Sequence, residues 1–162
     1  MAERWVINAS PVILLAKAEI IHFLPKLCDE LVVPAGVVGE VQNIHITDAA
    51  KQWLDGDGKQ FVRACPNLHP ALVKWRGGHG EAEVISWALQ NPGFTAVLDD
   101  RRARALAEKN NVPLLGSLRV IVIAKERGLI SKARPALEKL RGGGAYLADE
   151  LIDRAIALAG ES

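Results

Sequence analysis

FTAVLDDRRARALAEKNNVPLL, residues 94–115, decides the fold. Phe94 to Leu98 is a short apolar run with aromatic and β-branched members, the pattern of a strand buried on both faces. Asp99-Asp100 ends it abruptly. Arg101 to Asn110 reads as a charged helix, stopped near Asn110-Asn111, and Val112 to Leu115 as a second short strand. Upstream, RWVIN at Arg4 to Asn8 is another buried strand. Ser10-Pro11 then offers an N-cap and a first helical proline for a helix over Val12 to Ala18. A second helix is expected over Ile20 to Leu27. Leu31 to Val33 forms a strand closed by Pro34, and a helix runs from Ala35 into Val41.

Thr47 or Asp48 caps a helix through Leu54. Lys59 to Ala64 alternates, as an edge strand does. Pro66 to Gly80 is irregular and reads as a mobile loop; Glu81 to Gln90 is an apolar helix. Ser117 caps a helix that ends before Gly128, and Ser131 caps another through Leu140. Gly142 to Gly144 is a hinge. Tyr146 to Ala159 is an amphipathic helix with Leu147, Leu151, Ile152, Ala155 and Leu158 on one stripe. This alternation predicts an α/β fold: a three-layer α/β/α sandwich on a central, mostly parallel sheet. Residues 1–140 form the domain. Residues 141–162 add the glycine hinge and a helix packed on the same domain or on a second subunit.

The chain has 162 residues, the length of one domain. Lys+Arg minus Asp+Glu is 20 − 19 = +1, so no global field attracts nucleic acid and any such binding needs a local patch. Cys28 and Cys65 are too few for a disulfide scaffold, and are expected as reduced thiols. No apolar run approaches the roughly 20 residues that span a bilayer. The first residues do not read as a signal peptide, so no membrane association and a cytoplasmic location are expected.

In a parallel sheet, ligands sit beyond the carboxyl ends of the strands. That places suspicion on Asn8 and Ser10 after the first strand, and on Asp99 and Asp100 after Phe94 to Leu98. Either aspartate can serve as the cap of the next helix or as a ligand, and two aspartates can divide those tasks. Glu81 shares a helical stripe with Ile85, Ala88 and Leu89 and is expected toward the core-facing edge. Glu83 shares its stripe with Ser86, Trp87 and Gln90 and is expected on the wetter face. Glu40 stands alone among valines in GVVGEV. Converging carboxylates need a compensating cation, and oxygen-only donors select Mg²⁺ or Mn²⁺. Such an ion is a recurring apparatus of phosphoryl chemistry.

Arg101 and Arg104 lie i, i+3 apart beside the aspartates and are candidates for RNA phosphate contact. Arg102 points elsewhere. Trp5, Trp53 and Trp87 read as core, and Trp75 as a candidate for base stacking. The spacing of His22, His45, His69 and His79 fits no zinc pattern. GGHG at residues 77–80 is not a phosphate loop of the GxxxxGK[ST] kind. A receiver-like phosphorylation domain would need paired acids after the first strand, where Asn8 stands.

WVINASPVILLAKAE, PAGVVGEV, GHGEAEVISWAL and AVLDDRRARALAEKNNVPLLGSLRVIVIAKERGLI together resemble the PIN-domain superfamily, in a prokaryotic branch similar to toxin-type ribonucleases. The likeness covers Trp5 to Leu140. It implies a metal-dependent endoribonuclease, the toxin of a toxin–antitoxin pair, with RNA, a cognate antitoxin and a second copy as partners. Position by position, it places metal ligands at Asn8, Glu40, Glu81 and Asp99 or Asp100, with the four acids catalytic and Ser10 beside them. The family usually has Asp where this chain has Asn8, which supplies an oxygen but no charge. A weakened module that binds nucleic acid or protein without cleaving is therefore the alternative.

Overall fold

The computed structural model describes residues 2–43, 48–141 and 148–161. Five strands form one parallel sheet: β1 (Arg4–Ile7), β2 (Glu30–Pro34), β3 (Val62–Arg63), β4 (Phe94–Val97) and β5 (Leu114–Leu115). Their order is β3-β2-β1-β4-β5. The chain builds outward from β1 to β3 on one side, then returns to lay β4 and β5 on the other. The switch point lies between β1 and β4, in register from Arg4↔Phe94 to Ile7↔Val97. The Asn8 N–H continues that ladder onto the Val97 carbonyl at 3.2 Å. Trp5, Val6 and Ile7 are buried, as double coverage of a parallel sheet requires.

Among the described residues, nine helices complete the α/β/α arrangement: α1 (Ala9–Lys17), α2 (Leu24–Leu27), α3 (Ala35–Gln42), α4 (Asp48–Asp55), α5 (His79–Gln90), α6 (Arg101–Lys109), α7 (Ser117–Glu126), α8 (Arg134–Glu138) and α9 (Asp149–Leu158). Helix α5 lies on β1, β2 and β4 and against α3, while α1 packs on α3, α4 and α7. Helix α9 packs on α7 and α8. Its end is tied down by Glu161, which accepts from the Ala133 and Arg134 N–H groups at 2.8 and 3.0 Å.

Several local expectations give way to tertiary context. Helix α1 starts at Ala9, with Asn8 rather than Ser10 at the N-cap, because the chain turns directly off the end of β1. A 3₁₀ turn at Ile21–Phe23 precedes a single helical turn, α2, where one longer helix was expected. Residues Asp57–Phe61 form a 3₁₀ turn, so the edge strand keeps only Val62–Arg63. Helix α8 starts at Arg134 and takes no cap from Ser131. The inward stripe of α9 is Ile152, Ala155 and Ile156; Leu151 and Leu158 flank it and are exposed. Thr47, His45, the hinge glycines, Tyr146 and Leu147 lie outside the described residues.

The largest reversal concerns Glu83. It is buried, at 4% exposure, because α5 is covered by the sheet and also by α3. Its Oε1 accepts the Gly36 N–H at 3.0 Å, at the start of α3, and its Oε2 lies 2.7 Å from His79 Nε2. The carboxylate thus serves a backbone donor that the first turn of α3 leaves unpaired. Glu83→Ala strands that buried donor, and a loss of about 1–3 kcal/mol in urea unfolding is expected. Glu126→Ala, on an exposed face of α7, should cost visibly less.

Candidate functional site

Helices α1 and α6 begin directly after β1 and β4, so both N-termini face outward at the switch point. A cleft of about 520 Å³ opens there, lined by Asn8, Ser10, Glu40, Glu81, Asp99, Asp100 and Arg101, with apolar walls from Ile13 and Leu151. The structure thus brings the acids drawn from α3, α5 and the end of β4 to one cavity. Among the described residues, however, no three His, Cys, Asp or Glu side chains form a closed group able to hold one ion. The acids stand around the cleft rather than meeting at a point.

Each acid is already engaged with a backbone. Glu40 Oε1 accepts the Gly80 N–H at 2.7 Å, in the first turn of α5. A side chain at Gly80 would put its Cβ 3.0 Å from three atoms of that carboxylate, so this glycine permits the approach. Glu81 Oε1 reaches back to the Gly78 N–H at 3.1 Å, as a third helical residue does in a capping box. Asp100 is the N-cap of α6, with Oδ2 accepting from the Ala103 N–H at 2.9 Å.

Asp99 differs from these three. Its Oδ1 accepts the Ser117 N–H at 2.9 Å and its Oδ2 accepts the Ser117 hydroxyl. It therefore caps α7 from 18 residues upstream, and Ser117 is the first helical residue rather than the cap expected from sequence. Burial raises the Asp99 carboxyl above its ordinary range, against the opposing effects of Ser117 and of Arg104.

Two oxygen atoms in the cleft wall are buried without a hydrogen-bond partner: Asn8 Oδ1 and Ser10 Oγ. Glu40 Oε2, Glu81 Oε2 and Asp100 Oδ1 make no hydrogen bond among the described residues. Burial raises the Glu81 carboxyl; the Gly78 N–H opposes this, the charges of Asp100 and Glu40 add to it, and Arg102 opposes it. Glu81 thus feels both neighbouring acids across the cleft.

Of the arginines named from sequence, Arg101 lines the cleft. Arg104 turns inward, donating to the Leu98 carbonyl at 2.8 Å, and lines a smaller adjoining cavity with Asp99 and Glu108. Sequence reasoning missed Ser117 as the partner of Asp99, Leu151 as a cleft wall, and the seating of Arg102 on Trp75. The Gly-Ser pair after β5 was a legible signal for the first. The other two come from segments distant in sequence and carry no local mark.

A parallel sheet of this order, with acids at its switch point, defines the class: an α/β domain with its candidate site at the carboxyl edge. The chain belongs to the PIN-domain family, whose model matches residues 4–161. Such domains are nuclease-type, bind RNA or DNA, and generally use divalent metal ions. No curated protein and no solved structure matches the chain. No described helix is long and apolar enough to cross a membrane.

The electrostatic geometry is testable without any ligand. In an NMR carboxyl titration of the metal-free protein, Glu81 should titrate above a free glutamate. Asp100→Asn removes a like charge, so it should move that midpoint down. An unmoved midpoint would show that the two do not face each other.

Proposed function

We propose that the chain is a divalent-metal-dependent endoribonuclease that hydrolyses RNA phosphodiester bonds in this cleft. The observation that carries the proposal is the division of labour among its oxygens. Glu40, Glu81 and Asp100 each commit one oxygen to a backbone N–H and leave the other without a hydrogen bond among the described residues. Asn8 Oδ1 and Ser10 Oγ are buried and unpartnered beside them. An all-oxygen donor set of this kind suits a hard ion such as Mg²⁺ or Mn²⁺.

Asn8 with one or two of Glu40, Glu81 and Asp100 would hold that ion, waters completing its shell; Asp99, with both oxygens on Ser117, keeps α7 in place. When bound, the ion supplies a water of lowered pKa and positive charge for the phosphoryl oxygens. The chain's own residues set the stage. The backbone hydrogen bonds of Glu40, Glu81 and Asp100 fix where those carboxylates stand. Ser10 Oγ offers a hydroxyl to a substrate oxygen, and Arg101 brings a cation to the cleft's rim.

Asn8 favours a second reading, a binding module that no longer cleaves, because it leaves the site one negative charge short. Two measurements separate the readings. Calorimetric titration with Mn²⁺ should show binding, weakened by Glu81→Gln and strengthened by Asn8→Asp. Cleavage of single-stranded RNA in Mn²⁺ should fall by at least about 100-fold in Glu81→Gln and in Asp100→Asn, more than the loss of an outer-shell partner costs. If both variants cleave as the parent does, the assignment of the site is wrong; if only Asn8→Asp cleaves, the parent is the binding module.

The proposed biological role is that of a cytoplasmic toxin, with an antitoxin protein and a second copy of the chain as partners. It is supported by the sequence resemblance. Induced expression should arrest growth, and Glu81→Gln should relieve the arrest.

A further inference from the structure

Four carboxylates line the cleft, and the whole chain carries a net charge of only +1. A polyanion entering it meets repulsion that no general field offsets, so the rim must supply the attraction. Arg101 lines the cleft itself, Arg104 donates to the Leu98 carbonyl, and Arg119 is paired with Glu126. Arg102 is exposed and has no hydrogen bond or carboxylate partner among the described residues. Its guanidinium lies over the ring of Trp75, 5.5 Å from the centroid.

That ring is itself immobilised. Trp75 Nε1 donates to the Gly78 carbonyl at 3.1 Å, and the Trp75 N–H donates to Leu72 O at 3.0 Å. The backbone at Gly77 presses so closely that a Cβ there would fall 2.1 Å from Cζ2. Gly78 is also the residue whose N–H Glu81 accepts, so the ring is built onto the turn that carries an acid of the cleft. The same turn borders a second acid: a Cβ at Gly78 would fall 3.3 Å from Oε1 of both Glu40 and Glu81.

A guanidinium laid on an aromatic face keeps its edge free, and that edge is the planar fork that grips a phosphate with two parallel bonds. Holding it on a fixed ring lowers the entropy lost when the fork is used. We propose that Arg102, seated on Trp75, binds a backbone phosphate of single-stranded RNA next to the scissile one, on the side of the cleft where the Gly78 turn meets Glu40 and Glu81. Arg102 makes the contact; Trp75 is a positioning residue. The inference rests on the nuclease reading and adds to it a second phosphate subsite.

The test is fluorescence anisotropy of the full chain with a labelled single-stranded RNA of mixed sequence in EDTA, followed by cleavage kinetics in Mn²⁺. Arg102→Ala should weaken binding by about tenfold and lower the salt slope by about 0.7, the value for one lost phosphate contact on a single strand. Arg102→Lys should restore the slope but only part of the affinity, because it restores charge without the fork. Trp75→Leu should weaken binding with the slope unchanged. In Mn²⁺ all three should raise KM with kcat unchanged, the signature of lost ground-state binding. Arg119→Ala should match the parent throughout.

The proposal is overturned if Arg102→Ala binds as tightly as the parent, or if Arg119→Ala weakens binding equally. It is overturned as well if Trp75→Leu, shown folded by circular dichroism, binds like the parent. Should that variant not fold, the contrast between Arg102→Ala and Arg102→Lys decides alone. Unaltered KM in the Arg102 variants of a parent that cleaves RNA sinks this subsite and leaves the nuclease reading standing. A parent that neither binds nor cleaves RNA sinks both.

Discussion

The start of an α-helix exposes backbone N–H groups that its own turns cannot satisfy. At α3, α5, α6 and α7 carboxylates satisfy some of them, and most of these carboxylates come from other elements. Glu83 of α5 serves the start of α3, and Glu40 of α3 serves the start of α5. Asp99 serves α7, and Asp100 serves its own helix, α6. The exchange between α3 and α5 crosses more than 35 residues of chain in each direction. It fixes the two helices against each other, so the acids they carry toward the cleft are placed by the same bonds that hold the fold.

This arrangement also explains how several acids can face one cavity. At Glu81 and Asp99 burial disfavours the charge and pushes the carboxyls up, while backbone N–H groups at helix starts act in the opposite sense. What separates those two is use. Both oxygens of Asp99 are spent on Ser117, whereas Glu81 keeps one. Under the proposed function, the residues that retain an oxygen are the ones that act, and Asn8 contributes an oxygen without adding to the repulsion.

Much of the fold was legible because its strands are short apolar runs bounded by strong punctuation. Pro34 closes β2, Asp99-Asp100 follows β4, and the carboxyl-edge rule points from sequence alone to Asn8, Ser10 and the aspartates. Errors cluster where local preference met a tertiary competitor. Ser117 looked like a cap, yet Asp99 took that task from a distance. Glu83 looked solvated on a helical wheel, which assumes one buried face; α5 has two. Arg104 looked like a partner for Arg101 at i, i+3, but the Leu98 carbonyl drew it inward.

The amino-acid sequence alone determined the alternation of strands and helices, the parallel sheet, and the residue types gathered at its carboxyl edge. These follow from periodicity and from chain breakers, which act over a few residues. Only the tertiary structure decided which oxygen of each acid is free, which aspartate is consumed by Ser117, and which arginine stays at the surface. Those outcomes depend on partners tens of residues away, and a hydrogen bond made or missed across that distance leaves no trace in the neighbouring sequence.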